Sequence, residues 1–139
     1  VPDPFNLQRF VHAQDSVYEE VLIELQNGHK EMHWMWFVFP QIQGLGRSGT
    51  AIHYSISSGA EAEAYLAHPV LGPRLLECTE LVNAIENRTI EQIFGSIDAM
   101  KFRSSMTLFA LVAHNPAPFR NALDKYFAGE PDPLTVARL

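Results

Sequence analysis

Cysteine is nearly absent from this chain: Cys78 is the single one among 139 residues. One thiol makes neither an internal disulfide nor the Cys-rich ligand set of a zinc site, so stability must come from a packed core. Positive charge is also scarce, with 10 Lys and Arg against 16 Asp and Glu and a formal charge of -6. No Lys/Arg run offsets that balance. General nucleic-acid binding is therefore disfavoured, and room remains only for a small local basic pocket. Nothing approaches the roughly 20 consecutive apolar residues that cross a bilayer. Val1-Pro2-Asp3-Pro4 has neither the basic region nor the apolar core of a signal peptide. The expectation is a cytoplasmic protein without a membrane role, in which the Asn87-Arg88-Thr89 sequon is a coincidence.

Apolar residues are plentiful, at 47%, and charged residues are 19%, low for a monomer surface. That combination argues against disorder and accommodates either a homo-oligomeric interface or a partly apolar pocket. The length suits one domain, and the pattern along it is helical. Asp3 and Pro4 are start signals for a first helix over about 5–13. Ser16 and Glu19 have capping-box spacing ahead of Val17, Val21, Leu22 and Leu25, and Asn27-Gly28 is a stop. An antiparallel pair is the simple reading of these two helices. Further on, Ser58 and Glu61 repeat the capping spacing before Ala62–Ala67, and His68-Pro69 interrupts. Leu71, Leu75, Cys78, Val82 and Ile85 then advance in steps of four and three, the signature of one buried helical face over about 70–86. Thr89 and Gln92 cap a short helix ending near Gly95. A broad apolar helix over about 98–113 suits a central position. Phe119, Leu123 and Phe127 mark an amphipathic helix before Gly129, and Pro131 and Pro133 set off a short tail. The fold class expected is all-α, a compact multihelical single domain.

The run His33-Trp34-Met35-Trp36-Phe37-Val38-Phe39 is the densest aromatic segment. Its composition suits a strand, but it lacks an alternating pattern and the chain offers few strands to pair with it. The preferred reading is a short buried helix that ends before Pro40, whose missing amide stops it. Trp34 and Trp36 could cover a planar ligand, with Gln41 orienting it after the Pro40 turn. The alternative is core packing, which suits Trp34, Phe37 and Phe39, while Trp36 stays open because successive residues point in different directions.

Three groups of residues are candidates for chemistry. In the loop Gly44-Leu45-Gly46-Arg47-Ser48-Gly49, glycines permit close backbone approach and Arg47 with Ser48 can hold an anion, aided by the amides of a helix starting near Ser48. The loop matches neither GxxxxGK[ST] nor a Rossmann glycine signature, so the cofactor stays unassigned and an ordinary glycine-rich turn is the alternative. Lys101, Arg103 and Ser104, with Ser105, form a polar island inside a hydrophobic helix. Lys101 and Ser105 share a face while Arg103 lies nearly opposite. His29 and His33 stand four apart, but Lys30 occupies the glutamate position of HExxH and no further ligand is in sight, so no metal site is expected. Cys78 has the surroundings of a buried structural thiol.

The landmarks together resemble an uncharacterised, largely bacterial domain family, DUF family 1810, over almost the entire chain. The resemblance begins with Asp3-Pro4-Phe5-Asn6-Leu7-Gln8-Arg9-Phe10 and Ala13-Gln14-Asp15. It continues through His33–Ile42, Gly44–Ser48, Ala64–Leu75, Ile93-Phe94-Gly95 and Lys101–Phe109. The chain looks like a mycobacterial member. Val38 stands where related chains often carry isoleucine, an exchange that packing tolerates. The resemblance implies a multihelical all-α fold, agrees with a helical aromatic segment, and transfers no catalytic residue. Related sequences labelled calpastatin-like are a poor guide, because that inhibitor class is largely disordered. The function expected first is binding of a small anionic or nucleotide-derived metabolite by His33, Trp34, Trp36, Gln41, Gly44, Gly46, Arg47, Ser48, Lys101, Arg103 and Ser104. The alternatives are a hydrolase-type enzyme using His33 and a structural or protein-interaction module.

Overall fold

In the computed structural model, which describes residues 2–139, each local signal can be followed to its outcome. Val1, the first residue of the stretch read for a signal peptide, lies outside the described residues. The Asp3 carboxylate accepts the amides of Leu7 and Gln8 at 2.7 and 3.0 Å, and Asn6 adopts a left-handed φ of 52°. The first helix, α1 (Gln8–Asp15), therefore begins three residues later than its pattern suggests. Ser16 does not cap the second. It retains helical torsions and its hydroxyl lies 3.5 Å from the Ala13 carbonyl, so α2 (Tyr18–Gln26) starts without a side-chain cap. Gly28, at φ 71°, then ends that helix as expected. The antiparallel pairing does not hold: α1 packs chiefly on the aromatic turn and α2 on the long sixth helix.

The aromatic segment is helical for one turn only, α3 (Met35–Val38). Trp34 and Phe39 flank it inside the core. Phe39 meets Phe102 at 5.0 Å between ring centroids and Phe94 meets Phe102 at 5.2 Å, with Trp34 6.2 Å from both Phe39 and Phe94. Such offset and edge-on arrangements suit the ring quadrupoles. Phe37 is half-buried, less deep than its composition implied, and packs 5.4 Å from Tyr54. His33 lies before the helix, exposed.

After the Gly-rich loop come α4 (Gly49–His53) and α5 (Gly59–Ala67), each capped by the serine before it. Glu61 does not complete a capping box with Ser58. Its carboxylate accepts instead from Ser57 and pairs with Arg9 at 2.8 Å, joining α1 to α5. The His68 ring nitrogen accepts the amides of Val70 and Leu71, opening α6 (Leu71–Ala84) on the face formed by Leu71, Leu75, Cys78 and Val82. Gly72 is required where the chain turns, because a Cβ there would run into the Leu66 carbonyl. Thr89 and Gln92 make a complete capping box for α7 (Ile90–Phe94).

The longest helix, α8 (Ser96–Val112), is the axis of the molecule. Its residues 104–110 are all buried, which one face of a helix cannot achieve. It packs against α3, α5 and α7, and also against α9 (Ala117–Phe127) and α10 (Pro133–Ala137). The tail is thus a docked helix with Thr135 buried, not a loose end. Among the described residues the only β pairing is an isolated parallel bridge between Ile42 and Ile56. The fold is all-α, a compact single domain, and no described helix is long and apolar enough to cross a membrane.

Candidate functional site

Three pieces of chain meet at one cleft. The first is the loop after α3. Pro40 ends the aromatic turn, and the bridge pins the loop through Gln43 N to Ile56 O and Ile56 N to Gln41 O, both 2.8 Å. Gly44 adopts φ 93°, and a Cβ on Gly46 would fall 2.6 Å from that of Ala51, so both glycines are needed for this close path. Ser48 uses its hydroxyl to accept the Ala51 amide at 3.1 Å and cap α4.

The second piece is the first half of α8. Lys101 places its ammonium 4.0 Å from the Trp36 ring centroid and 3.3 Å from Asp98. Asp98 also holds Lys30 at 2.7 Å. The cation over the half-buried indole fixes Trp36 at the cleft rather than in the core.

The third piece is the C-terminal segment, tied to α8 by that helix's polar island. Arg103 donates from Nε and Nη2 to the carbonyls of Glu130 and Pro131 at 3.0 and 3.1 Å. Thr107 Oγ1 accepts the Asp132 amide at 2.8 Å, and Ser104 Oγ lies 3.1 Å from Asp132 Oδ2. Asp132 in turn caps α10 through the amide and hydroxyl of Thr135. That helix delivers Arg138 to the loop, where its Nη2 donates to the Gly44 carbonyl at 3.4 Å.

The cleft has two adjoining halves of about 460 and 440 Å³ that share Trp36, Gln41, Gly46, Arg47 and Ala51. Gly44 and Arg138 belong to the first; Ser48, Lys101, Arg103 and Ser104 belong to the second. Residues scattered over two sequence segments are thereby brought together, Arg103 included despite its different side of the helix.

Two sequence candidates lie elsewhere. His33 is exposed and lines neither half. Trp34 is buried and donates its indole N–H to Glu24 at 2.9 Å. Burial pushes the Glu24 carboxyl up, but the amide of Glu31, the indole of Trp34, the amide of Met32 and the charge of Lys30 outweigh it, and its pKa is lowered. Ser105 does not share a ligand-facing side with Lys101. It is fully buried, and its hydroxyl has no partner among the described residues. Local spacing missed Ile97, Met100, Asp132, Leu134 and Arg138, the last three because a tail carries no mark of where it docks. Cys78 lies outside the cleft, its thiol pushed up to about 12 by burial.

The fold and cleft define a helical domain with a cation-lined groove between its central helix and its C-terminal segment. The chain belongs to the family described as a protein of unknown function, DUF1810, whose model matches residues 4–139. It is similar, at 55% identity and a TM-score of 0.98, to a solved structure, the conserved hypothetical protein Rv1873 from Mycobacterium tuberculosis. That likeness covers 99% of this chain and 98% of the other. A comparison with curated proteins gave no match.

Proposed function

We propose that this protein binds a small organic anion, such as a nucleotide-derived metabolite, in the cleft between the Gly-rich loop, α8 and the C-terminal segment. One observation carries the reading. The chain has 10 Lys and Arg against 16 Asp and Glu, yet the cleft is lined by Arg47, Lys101, Arg103 and Arg138 and by one carboxylate, Asp132. Lys101 and Arg103 are paired with Asp98 and Glu130, so the excess rests on Arg47 and Arg138, which have no ion-pair partner among the described residues. A local excess of cations inside an acidic protein focuses potential on small anions while the net charge repels polyanions such as nucleic acid. Arg47 is exposed and has no hydrogen-bond or ion-pair partner among the described residues, so its guanidinium fork is available for a carboxylate or phosphate.

Recognition is favoured over acid–base catalysis by the lining itself. It includes no histidine or cysteine, and Asp132 is engaged by Ser104 and Thr135. The cleft's volume falls in the range of about 300–1,000 Å³ usual for small-molecule sites. A cytoplasmic setting is part of the reading, since a lone buried thiol suits a reducing compartment.

The test is calorimetric titration with a panel of nucleoside phosphates, sugar phosphates and dicarboxylates, repeated with Arg47→Ala. At least one anion binds the wild type, and the variant loses about tenfold or more in affinity, as expected for removal of a charge-assisted hydrogen bond. Failure of every anion to bind at millimolar concentration would sink the proposal.

A further inference from the structure

The two halves of the cleft differ in chemistry, and we propose that they read the two ends of one amphiphilic organic anion. The Arg47–Arg138 half takes a phosphate or carboxylate head. The half walled by Trp36, Leu45, Ile97, Met100 and Leu134 takes an apolar body. The assignment rests on the anion-binding reading above and adds to it Arg138 as the second head-group residue.

Charge pairing orients the ligand. In the apolar half, Lys101 is held by Asp98 at 3.3 Å, and Arg103 is bonded to the C-terminal backbone with the Glu130 carboxylate 3.7 Å away. Asp132 adds a further negative charge there, which leaves Arg47, bordering both halves, as that side's one unpaired cation. An anionic head therefore gains less there than between Arg47 and Arg138. The other half is lined by Arg47 and Arg138 and by no carboxylate. Its polar lining also includes Gln43 and Ser55, suited to a hydrated head group.

Arg138 reaches the loop at Gly44. Its guanidinium lies against Gly44, where a Cβ would come within 2.6 Å of the Arg138 Cζ. The single long bond to the Gly44 carbonyl uses one of the five guanidinium N–H donors and leaves the rest for a ligand. Glycine at this position thus both permits the φ of 93° and admits the cation.

The apolar half has its own signal. Ile97, Met100 and Leu134 are 71%, 72% and 64% exposed, come from two different elements, and line the same half as the half-buried Trp36. Clustered exposed apolar side chains lose water contact when a ligand body covers them, whereas scattered ones need no explanation. A flexible methionine among them adapts to the shape of that body. Trp36, Gln41 and Gly46 border both halves, which places the proposed head and body sites side by side.

The experiment titrates wild type, Arg138→Gln and Leu134→Ser with 1-naphthyl phosphate, with inorganic phosphate as the head alone and 1-naphthol as the body alone. The expected result is that naphthyl phosphate binds at least tenfold tighter than either fragment. Arg138→Gln weakens it at least tenfold without altering naphthol. Leu134→Ser weakens naphthyl phosphate and naphthol but not phosphate. Running 1-naphthoate in parallel distinguishes a carboxylate from a phosphate site, and tight binding of either supports the assignment. If anions bind in an Arg47-dependent way but neither variant alters affinity, the two-ended assignment falls while the anion site stands. If no anion binds, both fall. NMR of the Arg138 Nε–H in the wild type is independent of variant folding: a shift on adding naphthyl phosphate supports the assignment, and none overturns it.

Discussion

Glu24 and Trp34 are ten residues apart in sequence and form one buried unit. The carboxylate accepts the amides of Glu31 and Met32 and the indole N–H of Trp34, so the turn after α2 and the start of the aromatic segment share a single acceptor. This explains why Trp34 serves the core: its one polar atom is satisfied inside. The Glu24 pKa is depressed on folding, so its stabilising contribution is full above the ordinary carboxyl value of 4.5 and is lost as pH falls through the lower native value. Replacement by Gln removes that acid-side contribution and, by exchanging a charged acceptor for a neutral one, costs about 1–3 kcal/mol at neutral pH. Urea denaturation of wild type and Glu24→Gln between pH 3 and 7 checks this. Equal pH profiles would exclude Glu24 as the origin. The neighbouring Trp36 could not be assigned from composition, since successive aromatics point in different directions and only the Lys101 contact decides which one faces the cleft.

A cap signal in the sequence needed extended backbone at the cap residue, and Ser58 shows that a full box also needs the third residue's side chain free, since Glu61 is engaged by Ser57 and Arg9. Thr89 sits in extended torsions, φ -77° and ψ 161°, and its box with Gln92 forms; Ser16, with the same spacing to Glu19, stays helical and caps nothing. The C-terminal segment was the least legible element. Its docking depends on Arg103, Ser104 and Thr107. Locally, Arg103 and Ser104 read as a polar island that favours capping or packing over a ligand site, and nothing along the chain singles out Thr107. Asp132→Ala removes the α10 cap and the Ser104 contact, and is expected to cost about 1 kcal/mol, in line with lost N-caps. The sharper effect is local: limited proteolysis beyond residue 129 accelerates severalfold while far-UV circular dichroism of the remainder is retained. An unchanged cleavage rate would mean the segment is held by its other contacts alone. Because Arg138 rides on this helix, the same variant weakens anion binding in the cleft, measurable by the naphthyl phosphate titration.

The whole molecule is organised around α8, which touches α3, α5, α7, α9 and α10. One core and one axis predict cooperative unfolding, with circular dichroism, tryptophan fluorescence and thiol exposure following one urea transition. Cys78 is the reporter. Burial raises its thiol from 9.0 to about 12, so the native protein at pH 8 holds about a thousandfold less thiolate than the unfolded chain and alkylates correspondingly slowly. The sign follows: this contribution to stability is full below pH 9.0 and is lost as pH rises toward about 12. A thiol that labels before the other probes change would contradict a single transition.

What the sequence by itself determined was the all-α class, most helix spans and the buried face of α6. Those depend on periodicity, caps and glycines, interactions that reach only about four residues along the chain. Local composition also singled out the Gly-rich loop and the polar island of α8. Only the tertiary structure decided that these two face each other, that His33 stands outside, and that Arg138 completes the cleft from 94 residues beyond Gly44. The reason is physical: a cation's partner is chosen by long-range packing of helices around α8, and no pattern along the chain encodes that distance.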